Sequence, residues 1–137
     1  MISMLIIQSV WDCMYRQIPI WVTVAGGSIG LCISIMNDRS WMEIALGLLP
    51  GVLCLLTGWI TREAIGYGDG FLLCAMGMYL PLEKVVMIIM LASIFAGIVG
   101  LLLIIFKKAK RGDQLPFVPF LLAATVMQLV LEGRIVI

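Results

Sequence analysis

Long apolar runs separated by short polar clusters dominate the chain. The runs cover residues 1–15, 18–36, 41–60, 70–82, 85–106 and 115–131. Apolar residues are continuous within each run, whereas the strands of a membrane barrel alternate apolar and polar positions, so the runs predict helices. Because a spanning helix needs about 20 apolar residues, we expect an all-α integral membrane protein. It has about six transmembrane helices that form a single domain over residues 1–137.

The composition agrees with this pattern, since 63% of the residues are apolar and only 12% are charged. A soluble domain has about 45–50% apolar and about 25% charged residues, so an ordinary soluble fold is excluded. The first run lacks a basic leading segment and a small-x-small cleavage site, so we expect a retained helix and not a signal peptide. The net charge of +1 gives no reason to expect nucleic-acid binding.

The distribution of lysine and arginine predicts the orientation. If the N-terminus lies outside, the three outer basic residues are Arg39, Lys84 and Arg134. The other six then lie in inner loops: Arg16, Arg62, Lys107, Lys108, Lys110 and Arg111. Cytoplasmic loops of membrane proteins carry the excess of positive charge. Both termini are therefore predicted outside, with the basic loop after the fifth helix in the cytoplasm.

The residues that the chain lacks exclude several catalytic classes. It contains no histidine, which excludes Ser-His and Cys-His nucleophiles and HExxH zinc sites. The four cysteines lie singly in apolar runs without a CxxC pair, which predicts packing residues and no zinc or redox site. We therefore expect neither a metal nor a cofactor.

Two aspartates remain within or next to the apolar runs. Ionisable side chains in membrane segments are costly and mark functional sites. Asp12 lies near the cytoplasmic end of the first predicted helix, and Asp69 lies at the cytoplasmic start of the fourth. We expect them to meet at similar depth. Two close carboxyl groups in a poorly hydrated place share one proton, which provides an acid and a base for hydrolysis.

Glycines surround the second aspartate in the segment Gly66-Tyr67-Gly68-Asp69-Gly70. Gly66, Gly68 and Gly70 permit backbone conformations that are closed to other residues, and they allow a substrate strand to approach the main chain closely. A structural interpretation stays open beside this one. In it, the glycines form a flexible turn and Asp69 caps the next helix.

Three segments together resemble one family. They are Asp12-Cys13-Met14-Tyr15-Arg16-Gln17-Ile18-Pro19, Gly66-Tyr67-Gly68-Asp69 and Leu115-Pro116-Phe117-Val118-Pro119-Phe120. The combination is similar to the type IV prepilin peptidases, a GxGD family of intramembrane aspartic proteases. The resemblance implies that Asp12 and Asp69 are the catalytic pair and that no cofactor is needed. It also implies a multi-pass protein of the bacterial cytoplasmic membrane that removes the short basic leader of prepilin-like or pseudopilin-like precursors at the cytoplasmic face.

The prolines and one phenylalanine of these segments are expected neighbours of the substrate site. They are Pro19, Pro116, Phe117 and Pro119. Pro116 and Pro119 also have a structural interpretation, because proline is tolerated in the first turn of a helix.

The chain departs from the family in some features. Many relatives have lysine where this chain has Phe71, and asparagine often follows Ile-Pro where it has Ile20. Larger bifunctional members carry an additional cytoplasmic domain with paired CxxC motifs and also N-methylate the new terminus. This chain shows neither feature, so we expect the short, peptidase-only form.

Two other functions stay open: a proton or ion pathway that uses buried aspartates, and a catalytically silent membrane assembly factor. Segment length adds a hypothesis about the site. At about 1.5 Å per residue, residues 1–12 cover about 17 Å and residues 70–82 about 18 Å, less than the roughly 30 Å of hydrocarbon. We expect the cytoplasmic ends of these two helices to stop inside the membrane and to leave a wet recess around the aspartates.

Overall fold

The computed structural model describes residues 1–15, 19–62, 67–107 and 117–133. These residues form six helices, which are α1 (Ile2–Tyr15), α2 (Ile20–Met36), α3 (Trp41–Ile60), α4 (Tyr67–Tyr79), α5 (Leu82–Ile105) and α6 (Val118–Leu131). The all-α prediction and the number of helices are confirmed over this part of the chain. The predicted bounds of α3 match the observed ones. Its start is fixed by Ser40, whose side chain accepts a hydrogen bond from the Glu43 amide.

The predicted bounds of α4 are wrong by three residues at each end. The helix begins at Tyr67, so Gly68, Asp69 and Gly70 lie in its first turn and not in a turn before it. It ends at Tyr79 because Pro81 adopts an extended conformation (φ −67°, ψ 159°) and precedes the first residue of α5. Asp69 therefore projects from a regular helix.

The distribution of apolar side chains is that of a protein in lipid. Helices α3 and α5, with 20 and 24 residues, are long and apolar enough to cross a membrane. Large apolar side chains cover the surface, and Trp21 and Met36 are more than four-fifths exposed. Meanwhile Gln8 and Thr125 have no exposed surface. A soluble protein does not expose continuous apolar surface on this scale, so the fold is consistent with a membrane protein.

Helices α3 and α4 form the most extensive helix pair, and they run antiparallel. Gly47 lies against Gly77, Gly51 against Cys74, and Gly70 against Leu55. A Cβ atom at Gly47 or Gly77 would collide with the backbone of the other helix. Small residues allow membrane helices to approach to this degree. The glycines of α3 and α4 thus set the position of the helix that carries Asp69.

Helix α1 packs mainly against α6 and also contacts α2. Met4 fills the space in front of Gly26 of α2, and Gln8 bonds to Thr23 one turn earlier on α2. The buried core joins α1, α4, α5 and α6 through Met4, Leu5, Leu72, Leu73, Ala75, Met76, Ile88, Ala92, Val118, Leu121 and Ala124. This core holds the helices that carry the two aspartates.

Candidate active site

Asp12 is a buried carboxyl group on the inner face of α1. Its exposed fraction is 7%, and it shares the buried face of the helix with Leu5, Gln8 and Ser9. Leu5, Gln8 and Ser9 each lie three or four residues from the next position on this face, which places the set on one side of the helix with Asp12. The helix therefore directs Asp12 into the protein interior and away from lipid.

The start of α6 provides a hydrogen-bond donor to Asp12. The backbone N–H of Val118 donates to Asp12 Oδ2 with an N···O distance of 3.4 Å. Phe117, at the cap position of α6, provides no side-chain cap. The first N–H groups of a helix lack partners within the helix and carry partial positive charge, which favours a carboxylate nearby. Asp12 thus serves as a cap for α6 from another helix.

Asp69 lies in the first turn of α4 and is half-buried. A negative charge is stabilised at this end of a helix by the unpaired N–H groups. Gly70, the next residue, faces α3: a Cβ atom there would lie 2.7 Å from Cγ and Cδ2 of Leu55 and 3.2 Å from its backbone nitrogen. The absence of a side chain at Gly70 therefore lets the end of α4 that bears Asp69 lie close to α3.

The structure places Asp12 and Asp69 at the same end of the helix bundle, on α1 and α4. The helix contacts explain this placement. Gln8 of α1 lies level with Thr23 of α2, and Gly27, one turn further along α2, lies against Ala75 of α4. Asp12 lies four residues after Gln8 on α1, and Asp69 lies six residues before Ala75 on α4, so both are displaced towards the same end of the bundle. Both aspartates therefore lie at the end of the bundle where α1 ends and α4 begins.

The glycines around Asp69 have a role different from the expected one. Gly68 and Gly70 are helical, and among the described residues Gly133 is the glycine with positive φ. These two positions thus do not use the backbone conformations, closed to other residues, that glycine permits. Gly70 is needed for close helix packing, and Gly68 is half-buried in the first turn. Gly66 lies outside the described residues.

The predicted neighbours of the substrate site take structural positions. Pro19 precedes α2, and its carbonyl accepts hydrogen bonds from the Thr23 amide and hydroxyl, each at 3.3 Å. Phe117 packs against the core and Pro119 is the second residue of α6. Pro116 lies outside the described residues. The segment 117–120 nevertheless reaches Asp12, through the backbone of Val118.

Three features near the aspartates are not apparent from a search for catalytic side chains. The Val118 donor is a backbone group, so the residue type gives no signal. Gln8 is a polar residue within an apolar run, which is a signal, but it is uncharged. Cys54 of α3 precedes Leu55, whose side chain packs against Gly70, the residue after Asp69. Across the described ranges no group of three or more His, Cys, Asp or Glu side chains could hold a metal ion.

Comparison with known proteins bears on this pair of carboxyl groups. The sequence model of the type IV leader peptidase family matches residues 1–101. The chain belongs to this family. The match includes both aspartates and α1 to α4, whereas α6 lies beyond it. No solved structure matches the chain.

Several curated relatives of this member of the leader peptidase family carry the name prepilin leader peptidase/N-methyltransferase. The relative from Stutzerimonas stutzeri is 29% identical over 109 residues, which are 77% of this chain and 36% of the relative. The one from Burkholderia pseudomallei (strain 1026b) is 32% identical over 103 residues, 69% of this chain and 33% of the relative. The one from Xanthomonas campestris pv. campestris is 28% identical over 120 residues, 82% of this chain and 42% of the relative. The chain thus spans about two-fifths or less of these relatives.

Proposed function

We propose that the chain is an aspartic endopeptidase that removes the leader of type IV prepilin-like or pseudopilin-like precursors. The observation that carries the proposal is the placement of Asp12 and Asp69 at the same end of the helix bundle, on two separate helices of a leader peptidase family member. The names of the relatives support prepilins as the substrate class. The proposal covers cleavage and not methylation.

The pair performs hydrolysis by exchanging one shared proton. The ionised carboxylate takes a proton from water as the water oxygen attacks the scissile carbonyl carbon, and the protonated carboxyl gives its proton to the carbonyl oxygen. When the tetrahedral intermediate collapses, the C–N bond breaks, the amine nitrogen receives the proton that came from water, and one hydroxyl of the intermediate returns its proton to the second carboxylate. Asp12 and Asp69 then regain their starting protonation.

The surroundings of the pair fit a substrate that lies partly in the membrane. Helices α1 and α4, with 14 and 13 residues, are about 21 Å and about 20 Å long, below the roughly 30 Å of hydrocarbon. The aromatic side chains of Trp11, Tyr15 and Phe71 are exposed beside the aspartates. We propose a multi-pass protein of the bacterial cytoplasmic membrane with both termini outside. Its carboxyl pair lies in a hydrated recess on the cytoplasmic side.

The test is co-expression with the prepilin-like precursors encoded in the same genome, with leader removal followed by gel shift. We expect cleavage by the wild type and a loss of at least about 10³-fold in Asp12→Asn and Asp69→Asn, because each change removes a titrating group that acts as part of one unit. Asp38→Asn is the matched control. Asp38 is an exposed aspartate in the turn after α2, far from the pair, and its positive φ of 53° suits asparagine.

Two results would overturn the proposal. Wild-type protein that leaves every precursor uncut, although it is correctly inserted, would contradict peptidase activity and return attention to proton flux through the aspartates. Normal processing by either asparagine variant of the pair would contradict the carboxyl mechanism. The orientation is tested separately by thiol labelling of Asp38→Cys and Lys107→Cys, which we expect to react from outside and from the cytoplasm respectively.

A further inference from the structure

Gln8 is a fully buried amide located one helical turn from Asp12. Its exposed fraction is 0%, and its Nε2 donates a hydrogen bond of 2.6 Å to the hydroxyl oxygen of Thr23. The Thr23 hydroxyl in turn donates to the Pro19 carbonyl at 3.3 Å. Burying a glutamine amide is costly unless its polar atoms have hydrogen-bond partners.

This hydrogen-bond chain determines which way the amide faces. A threonine hydroxyl has a single proton, and here that proton goes to the Pro19 carbonyl. In this arrangement Gln8 presents the donor Nε2 to Thr23, which leaves the acceptor Oε1 on the other side of the amide. Gln8 Oε1 is buried and has no hydrogen-bond partner.

Asp12 is the polar neighbour that this free acceptor suits. Residues 8 and 12 are four apart on the buried face of α1, so their Cβ atoms lie about 6 Å apart. A protonated carboxyl group needs one donor for its carbonyl oxygen and one acceptor for its hydroxyl. The Val118 N–H already donates to Oδ2 of Asp12. When Asp12 is protonated on Oδ1, the partner that it still needs is an acceptor for that proton.

The titratable side chains of the helices around Asp12 are compatible with this arrangement. Helix α6 contains no ionisable side chain, and Cys32, near the far end of α2, is the single titratable side chain of that helix. Helix α4 contributes the titratable side chains of Tyr67, Asp69, Cys74 and Tyr79, and α3 contributes those of Glu43 and Cys54. Among the described residues on these neighbouring helices, no positive side chain competes with Gln8 for Asp12.

We propose that Gln8 is a positioning residue for the carboxyl pair. Its Oε1 accepts a hydrogen bond from Asp12, directly or through one water molecule, in the half of the reaction in which Asp12 holds the shared proton. The bond turns Oδ1 towards Gln8 and Oδ2 towards Val118, which fixes the plane of the carboxyl group relative to Asp69. This inference rests on the proposed peptidase function.

Gln8→Met tests the inference, because methionine keeps the length of the side chain and removes the acceptor. We expect the kcat for prepilin cleavage by the full chain in detergent to fall about tenfold with KM within about twofold, the effect of one lost hydrogen bond of ordinary strength. Because the acceptor stabilises the protonated form of Asp12, its loss should also move the alkaline limb of the kcat profile to lower pH, by about half a unit.

Gln128→Met is the matched control. Gln128 is also a buried glutamine, with 6% exposed surface and two unpaired amide atoms, but it lies ten residues along α6 from Val118. Its replacement should leave kcat and the pH profile unchanged. Thr23→Val and Thr23→Ser form a second pair. The valine variant removes the hydroxyl that holds the Gln8 amide, so it should show a smaller fall in kcat and a smaller shift of the pH profile than Gln8→Met. The serine variant keeps the hydroxyl and should match the wild type.

Each outcome is decisive. A folded Gln8→Met with wild-type kcat and pH profile would overturn the inference, as would an equal loss in Gln128→Met. If Gln8→Met does not fold, the Thr23 pair decides, and identical profiles for valine and serine contradict the role of Gln8. A wild type that cleaves no precursor would contradict the proposed function, which is distinguishable from failure of the inference in an active enzyme.

Discussion

Replacing Gly70 with alanine should reduce proteolysis by displacing the neighbouring Asp69. The new Cβ would lie 2.7 Å from Cγ and Cδ2 of Leu55 and 3.2 Å from the Leu55 nitrogen. Carbon atoms rest at about 3.5–4.0 Å, so the shortfall against the Leu55 side chain is close to one ångström. Leu55 can absorb part of it by changing rotamer. The backbone nitrogen cannot move in that way, so the first turn of α4 must shift away from α3.

The expected effect has two parts. Overpacking of this kind costs about 1–3 kcal/mol of stability. A shift of the helix end by several tenths of an ångström carries Asp69 with it, and a misplacement of about 1 Å can cost up to about 100-fold in rate. We therefore expect kcat per folded molecule to fall between about tenfold and about 100-fold in Gly70→Ala, with a smaller change in KM.

The assay combines initial rates of leader removal by purified protein with its melting temperature in detergent. Gly97→Ala is the control, because Gly97 lies on α5 and a Cβ there has no atom within 4 Å. The control should keep wild-type kcat and lose no stability, since alanine is the better helix former. A Gly70→Ala enzyme with kcat within twofold of wild type would refute the reasoning that the α3–α4 contact positions Asp69.

The remaining predictions concern Asp12, Arg39 and one ion pair. The free energy of unfolding of Asp12→Ala should be about 1 kcal/mol lower than that of Asp12→Asn, because an asparagine oxygen can still accept the Val118 N–H. Both variants should be inactive. Equal melting temperatures would contradict the capping role. Arg39→Met should cost about 1–3 kcal/mol, since Arg39 donates to the Met78 carbonyl and is mostly buried, while kcat per folded molecule stays unchanged. Lys84→Met should change stability by less than about 1 kcal/mol, because its 2.9 Å ion pair is partly exposed; a larger loss in denaturation measurements would refute this.

Much of the architecture could be predicted from the apolar runs, and the errors have identifiable causes. The bounds of α3 were predictable because Ser40 and Glu43 mark its start and a polar cluster follows Ile60. The start of α4 was not, because glycines next to Asp69 are typical of turns. Tertiary packing overrides that preference here, since Gly70 lies against Leu55 and Gly77 against Gly47. Glycine in this helix serves contact between helices.

The candidate site was predictable in its residues and less so in its bonds. Counting residues along alternating helices predicts that Asp12 and Asp69 lie at similar depth, and both lie at the end of the bundle where α1 ends and α4 begins. No counting predicts that the Val118 amide donates to Asp12, because that bond depends on how α6 packs on α1. The hydrogen bond between Gln8 and Thr23 also depends on packing, because the two residues become neighbours only when α1 and α2 lie side by side.

The bond from Val118 also gives a physical reason for a proline close to the site. The N–H groups of Phe120 and Leu121 both donate to the Phe117 carbonyl, at 3.1 Å. Pro119 has no N–H at all. Of the donors in the first turn of α6, the Val118 N–H is therefore the one left to find a partner, and it points to Asp12. Pro119 can thus contribute to a catalytic centre without touching substrate, because it leaves a single backbone donor at the helix end and so gives the Asp12 carboxyl one defined orientation.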